Sequence, residues 1–376
     1  MNNRIIKRLI ALICMTVLTA GLCVCNSQAA EPQAGNITEE STQAETNNTV
    51  NEGVDTPVNV TGYHEYNGPY KDMFLKEGDK IAVISPSATP SRAQVDATVE
   101  GLRKWGYIPV EGKYVCTEVR TVENCREDLE WALNDPEIKA VFCVRGGYAS
   151  TEVLDILPLE TIASAKKLII GYSDISAYHS AWTVSHLPSV HASMSAAFTD
   201  LSEECVRVQQ AMMKGQIPTY ECAGSEYDKP GTVQGVLIGG NLTVFLCVLG
   251  TDYSSAAMEQ PYILFLEDVG SSLLGTHASL TLLKNLGVLE NASGIIFGEW
   301  TDFKLGGIDY SGDSRGGIFT SATDMIYRQF VKDLNIPVAF GFPAGHGKNN
   351  YPLLMGEELK LTVTDHGYTL EWVDGK

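Results

Sequence analysis

Short unbroken apolar runs alternate with stretches of helical spacing through the first half of the chain. KIAVI (80–84), KAVFCV (139–144) and KLII (167–170) are the runs; YIPV (107–110) is a further strand candidate. Between them Val95, Val99 and Leu102 recur one helical turn apart, and 126–133 and 152–157 show the same rhythm. Strands without polar alternation, separated by helices, predict a parallel sheet covered on both faces. Ligands of such sheets gather at the carboxyl ends of the strands, where Ser85, Gly146, Gly147 and Ser173 fall.

The second half has another rhythm. Residues 201–230 are polar, carry no strand pattern and end in Asp-Lys-Pro-Gly, which predicts a linker. Strands are then expected at 233–238, 262–266, 294–297 and 338–340, and helices at 242–249, 280–286 and 319–330. Runs at 359–363 and 368–372 around Thr-Asp-His-Gly predict a terminal hairpin. The fold class is therefore α/β. A parallel-sheet N-terminal domain (73–200) is joined through the linker (201–230) to a mixed C-terminal domain (231–376).

Ahead of these lie two segments of different character. Arg4, Lys7 and Arg8 precede an apolar stretch (9–24) and small residues up to 30, the pattern of a signal peptide. A retained membrane anchor is the alternative, since the run is slightly shorter than a comfortable span. Residues 31–72 are rich in Asn, Thr, Glu and Gln without apolar periodicity and predict a disordered polar tether. The expected setting is secreted or cell-envelope. The formal charge is −19 and grows more negative once the signal is removed, which argues against nucleic-acid binding. Nine cysteines include no C-x-x-C pair, so no zinc site is suggested.

Four features carry candidate chemistry. Ser173, in LIIGYSDIS (168–176), stands where a strand gives way to a helix. It can be a nucleophile exposed on a sharp turn or the N-cap of that helix. Arg145-Gly-Gly-Tyr148 ends the neighbouring strand; its glycines offer backbone N–H groups to a substrate oxygen, or simply make a tight turn. Glu267 and Asp268 end an apolar strand, so one faces inward and the other outward, and Glu267 is the inward choice. A buried carboxylate there needs a partner such as a histidine N–H. Among the seven histidines, His64 and His366 are remote, His179, His186 and His277 decorate helices or their ends, and His191 and His346 are the candidate bases.

Taken together, IGYSDI (170–175), RGGY (145–148), GGNL (239–242), LFLEDV (264–269) and GFPAGH (341–346) resemble the serine LD-carboxypeptidase family over roughly 74–372. That family trims terminal D-alanine from murein tetrapeptides and includes the microcin C self-immunity proteins. The resemblance implies a flavodoxin-like or amidotransferase-like N-terminal domain and a swivelling mixed C-terminal domain, with the site in the cleft between. It implies Ser173 as nucleophile, Glu267 as orienting carboxylate, His346 as general base, and the backbone N–H groups of Gly147 and Asp174 as oxyanion donors. Arg145, Tyr148 and Asn241 are candidates for substrate contact. No metal or organic cofactor is implied; the partners expected are murein peptides, and a homodimer is left open. Two departures touch the rim of the site: Ala149 replaces the glycine of R-G-G-Y-G, and His191-Ala-Ser193 stands for H-G-P. The immunity-type lysine after the glutamate is replaced by Gly270, Ser271 and Ser272, which favours a cell-wall peptidase over an amidase acting on peptidyl or aminoacyl adenylates. A cell-wall peptide-binding protein without catalysis is the reading from another class.

Overall fold

The computed structural model describes residues 49–52, 57–118, 120–257, 259–305 and 319–373. The expected signal peptide and residues 31–48 of the expected tether lie outside the described residues.

The first two described strands, β1 (Thr49–Glu52) and β2 (Val58–Glu65), join a sheet built mostly from the far half of the chain. Strand β2 corrects the tether expectation. Val58 and Val60 alternate with exposed Asn59 and Thr61, and the strand pairs antiparallel with residues 216–222. Polar composition hid a period of two that only two valines mark.

The parallel sheet follows: β3 (Lys80–Ile84), β4 (Ile108–Glu111), β5 (Ile138–Cys143), β6 (Leu168–Gly171) and β7 (Ser189–His191). Helices α1 (Arg92–Lys104), α2 (Val122–Asn134), α3 (Ser150–Ile156), α4 (Leu159–Ala165) and α5 (Ser176–Val184) cover it. The first two are capped as their sequences allow. Ser91 accepts from Gln94 N–H in a capping box, and Thr121 accepts from Asn124 N–H. Ile81, Val141, Phe142, Ile169 and Ile170 are wholly buried, each side chain contributing about 1.5–3 kcal/mol.

Between the sheets the linker expectation fails. Helix α6 (Glu203–Met213) buries Cys205, Val208, Gln209, Met212 and Met213, one face at helical spacing, and β8 (Gln216–Ala223) buries Ile217, Tyr220 and Cys222. Two charged residues at the helix start and a proline in the strand masked both periods.

The mixed sheet comprises β9 (Gly231–Asn241), then α7 (Leu242–Val248), β10 (Tyr262–Val269), α8 (Leu273–Asn285), β11 (Gly294–Lys304), α9 (Ala322–Ile326) and β12 (Val338–Phe340). Strands β9 to β12 are parallel. After β13 (Leu353–Met355), the hairpin of β14 (Glu358–Thr364) and β15 (Gly367–Trp372) completes it. Strand β13, however, pairs with β7 at the edge of the first sheet. Each sheet thus takes an edge strand from the opposite end of the chain.

Candidate active site

The carboxyl ends of parallel strands from both sheets converge on Ser173. Strand β6 stops at Gly171, Tyr172 is extended, and Ser173 turns into the left-handed region at φ 64°. A non-glycine residue there costs about 1–3 kcal/mol and persists only where its surroundings enforce it. Ser173 does not cap the helix that follows: Ile175 holds the N-cap position of α5. Its Oγ lies 3.0 Å from His346 Nε2, and His346 Nδ1 lies 2.7 Å from Glu267 Oε2. An ionised carboxylate only accepts, so Nδ1 carries the proton and Nε2 is free to accept from the serine hydroxyl.

Glu267 stands near the end of β10, fully buried, while Asp268 faces the other way. The sequence reading had one of the two turned outward; in fact Asp268 is also buried, beneath α7, accepting from Asn241 Nδ2 at 3.1 Å and Thr243 Oγ1 at 3.3 Å. Burial and then the charge of Glu267 push its carboxyl up to about 6. His346 sits in the loop after β12. Asn350 Oδ1 accepts from Gly345 N–H at 3.0 Å, and Ala344 O accepts from Glu299 N–H at 3.3 Å, so the loop is held on both sides of the imidazole. Burial alone would lower the imidazole's titration, but the charge and hydrogen bond of Glu267, with Asp268 and Glu299 behind, carry it above its ordinary 6.5.

The other histidines separate from the site's chemistry. His191 is wholly buried in β7, edge-on to Phe265, and burial holds it well below 6.5. His179 lies inside α5 with its ring nitrogens 2.8 Å from Ser189 Oγ and 3.0 Å from Gly171 O; burial lowers it to about 4. His64 lies in β2, His186 in the turn after α5, His277 in α8 and His366 in the last hairpin turn. Tyr172, which sequence reading passed over, lays its ring 4.9 Å from that of His346, and burial followed by the Glu267 charge pushes its hydroxyl up to about 12.

The R-G-G-Y loop passes directly over the serine. A Cβ on Gly146 would stand 2.9 Å from Ser173 Cβ and 3.4 Å from Asp174 N, so only glycine allows this approach. Gly147 and Tyr148 are exposed, Tyr148 at 77%. Arg145 is exposed, with Nη1 donating to Thr89 O at 3.3 Å. Asn241 is buried: its Oδ1 caps α7 through Val244 N–H, its amide donates to Asp268, and its backbone N–H donates to Ser176 Oγ at 2.9 Å. Ser87, Ser150 and Asn350 hold site loops and were missed by sequence reasoning; a lone serine or asparagine in a loop carries no signal of its partner.

A hydroxyl, an imidazole and a buried carboxylate in one hydrogen-bonded line, at the meeting of two α/β sheets, is the arrangement by which hydrolases activate serine. Comparison with known proteins gives the family. The chain matches the LD-carboxypeptidase N-terminal domain over residues 81–192 and the LD-carboxypeptidase C-terminal domain over 234–361; it belongs to that family and is a peptidase. It is 28% identical to a murein tetrapeptide carboxypeptidase of Pseudomonas aeruginosa, covering 78% of this chain and 95% of that one. A putative carboxypeptidase of Rickettsia conorii is 31% identical, covering 63% of this chain and 71% of that one. The crystal structure of a muramoyltetrapeptide carboxypeptidase from Oxalobacter formigenes superposes with a TM-score of 0.68 at 26% identity, covering 78% of this chain and 99% of that one. An MccF-like protein from Bacillus anthracis shares the fold at 22% identity and a TM-score of 0.65, covering 80% of this chain and 98% of that one.

Proposed function

We propose that this chain is a serine carboxypeptidase hydrolysing the LD-peptide bond before the terminal D-alanine of murein tetrapeptides, with Ser173, His346 and Glu267 as its triad. The observation that carries the mechanism is the unbroken line from Ser173 Oγ through His346 to Glu267, at 3.0 and 2.7 Å. The substrate class rests on the named relatives of Pseudomonas and Oxalobacter.

In this reading His346 Nε2 takes the hydroxyl proton as Ser173 Oγ attacks the carbonyl carbon. The oxyanion is held by the N–H groups of Gly147 and Asp174, at the mouth where Gly146 packs on the serine. Collapse breaks the C–N bond, His346 protonates the leaving amine, and D-alanine departs. Water, deprotonated by the same imidazole, then hydrolyses the acyl-enzyme. Glu267 keeps Nδ1 protonated and stabilises the imidazolium. Exposed Arg145 is the proposed partner of the substrate's terminal carboxylate. The proposed setting is the cell envelope, on the reading of residues 1–30 as an export signal.

The test of substrate class is a side-by-side incubation with a murein tetrapeptide, a DD-terminated pentapeptide and an aminoacyl sulfamoyl adenosine. Release of D-alanine from the tetrapeptide alone is expected. Cleavage of the adenylate mimic alone would transfer the reading to adenylate amidases, and tight binding without turnover would transfer it to peptide receptors.

A further inference from the structure

Asp174 follows the serine, and its side chain is buried, 5% exposed. One oxygen, Oδ2, accepts three hydrogen bonds: from Ser87 Oγ at 2.5 Å, Ser150 Oγ at 2.7 Å and Ser150 N–H at 3.1 Å. Those donors come from two other segments, the loop after β3 and the first turn of α3. Ser87 follows β3, and Ser150 follows β5, three residues past Gly147.

We infer that the Asp174 carboxylate is a positioning residue that fixes the spacing of the two proposed oxyanion donors, its own N–H and that of Gly147. The inference rests on the serine mechanism proposed above. The loop carrying Gly147 is clamped at both ends by the nucleophile turn: Gly146 packs on Ser173, and Ser150 bonds to Asp174. Between the clamps Ala149 stands at φ 127°, a backbone that an alanine adopts only under compulsion. Hydrogen bonds to an ionised group are roughly twice as strong as neutral ones, and Ser87 and Ser150 are themselves buried. Without the carboxylate, the loop is free to relax away from the serine.

The rate at which a fluorophosphonate labels Ser173 tests this without regard to substrate. The Oγ–P bond forms as fluoride leaves, the Oγ proton passes to His346, and the phosphonyl oxygen enters the oxyanion site. Ser150→Ala is expected to slow labelling about tenfold and Asp174→Ala about a hundredfold, the scale of a misplacement near 1 Å. Asp174→Asn, which keeps an accepting oxygen, should fall between wild type and Asp174→Ala. In the peptidase assay kcat per folded molecule should drop in the same proportions while KM stays nearly constant; unfolding alone lowers the amount of active enzyme and leaves kcat per folded molecule unchanged. Ser150→Ala and Ser87→Ala remove one hydroxyl each and leave the carboxylate in place, so they decide the matter even where Asp174→Ala does not fold. Folded Ser150→Ala and Ser87→Ala proteins labelled as fast as wild type would overturn the positioning role alone. Wild type that resists labelling would overturn the serine mechanism with it.

Discussion

In the proposed mechanism neutral His346 accepts the proton of Ser173 and protonated His346 cannot, so its surroundings would set the acid limb of activity. Burial lowers its titration, but Glu267, Asp268 and Glu299 together raise it above the ordinary 6.5. The pH profile of kcat/KM should therefore rise with a midpoint above 6.5. In Glu267→Gln the main raising contributions go and burial remains, so the midpoint should move down as kcat falls; a midpoint that stays or rises would show that Glu267 does not act on the imidazole. Ser173→Ala should cost about 10⁶ in kcat, as triad members do elsewhere. At this scale the sequence was legible only in combination. G-Y-S-D alone reads more readily as a helix cap, and only R-G-G-Y, L-E-D and G-H beside it carry the resemblance that implies a nucleophile. The partners of Asp174 stayed hidden because its three donors come from residues 24 and 87 positions away.

Elements with a single strong period were readable from the chain. Beyond Lys80 and Lys139, strands β3, β5 and β6 are continuous apolar runs buried on both faces, and the last hairpin alternates with the core. Elements whose apolar face is interrupted by polar residues were not: Gln209 lies wholly buried in α6, donating to Ser193 O at 2.8 Å, where a pattern reader expects solvent. The strand β2 was lost the same way, yet it has partners to hold. Tyr66, just past it, donates to Glu357 Oε1 at 2.9 Å and packs against Phe74. A chain starting at Asn67 should thus unfold several degrees below one starting at Pro57, measured by thermal denaturation; equal midpoints would make β2 dispensable. Ala149 offers the opposite change. Glycine at φ 127° relieves the strain of the α3 turn, so Ala149→Gly should raise stability by about 1 kcal/mol in denaturant unfolding. A loss would mean that the methyl group contributes packing that outweighs the strain.

The whole molecule brings Ser173 on one sheet to Glu267 and His346 on the other, so in the proposed mechanism catalysis depends on how closely the sheets approach. One close contact between them lies beside the site. A Cβ on Gly240, at the end of β9, would stand 2.3 Å from Ser176 Oγ at the start of α5. Gly240→Ala should push the two halves of the triad apart and lower kcat by about tenfold or more, and adding Ser176→Gly, which vacates the space, should restore part of it. No rescue would show that backbone strain at Gly240, φ 127°, rather than the separation of the sheets, causes the loss. The two-sheet architecture was legible from the alternation of patterns along the chain; the exchange of edge strands β2 and β13 was not, because strand pairing between distant segments leaves no local mark. The most direct test of the whole reading is the release of D-alanine from a murein tetrapeptide, followed by mass spectrometry for wild type and Ser173→Ala with a chelator present. Release by wild type and none by Ser173→Ala is expected. A tetrapeptide left intact by wild type, or trimmed as fast by Ser173→Ala, would contradict it.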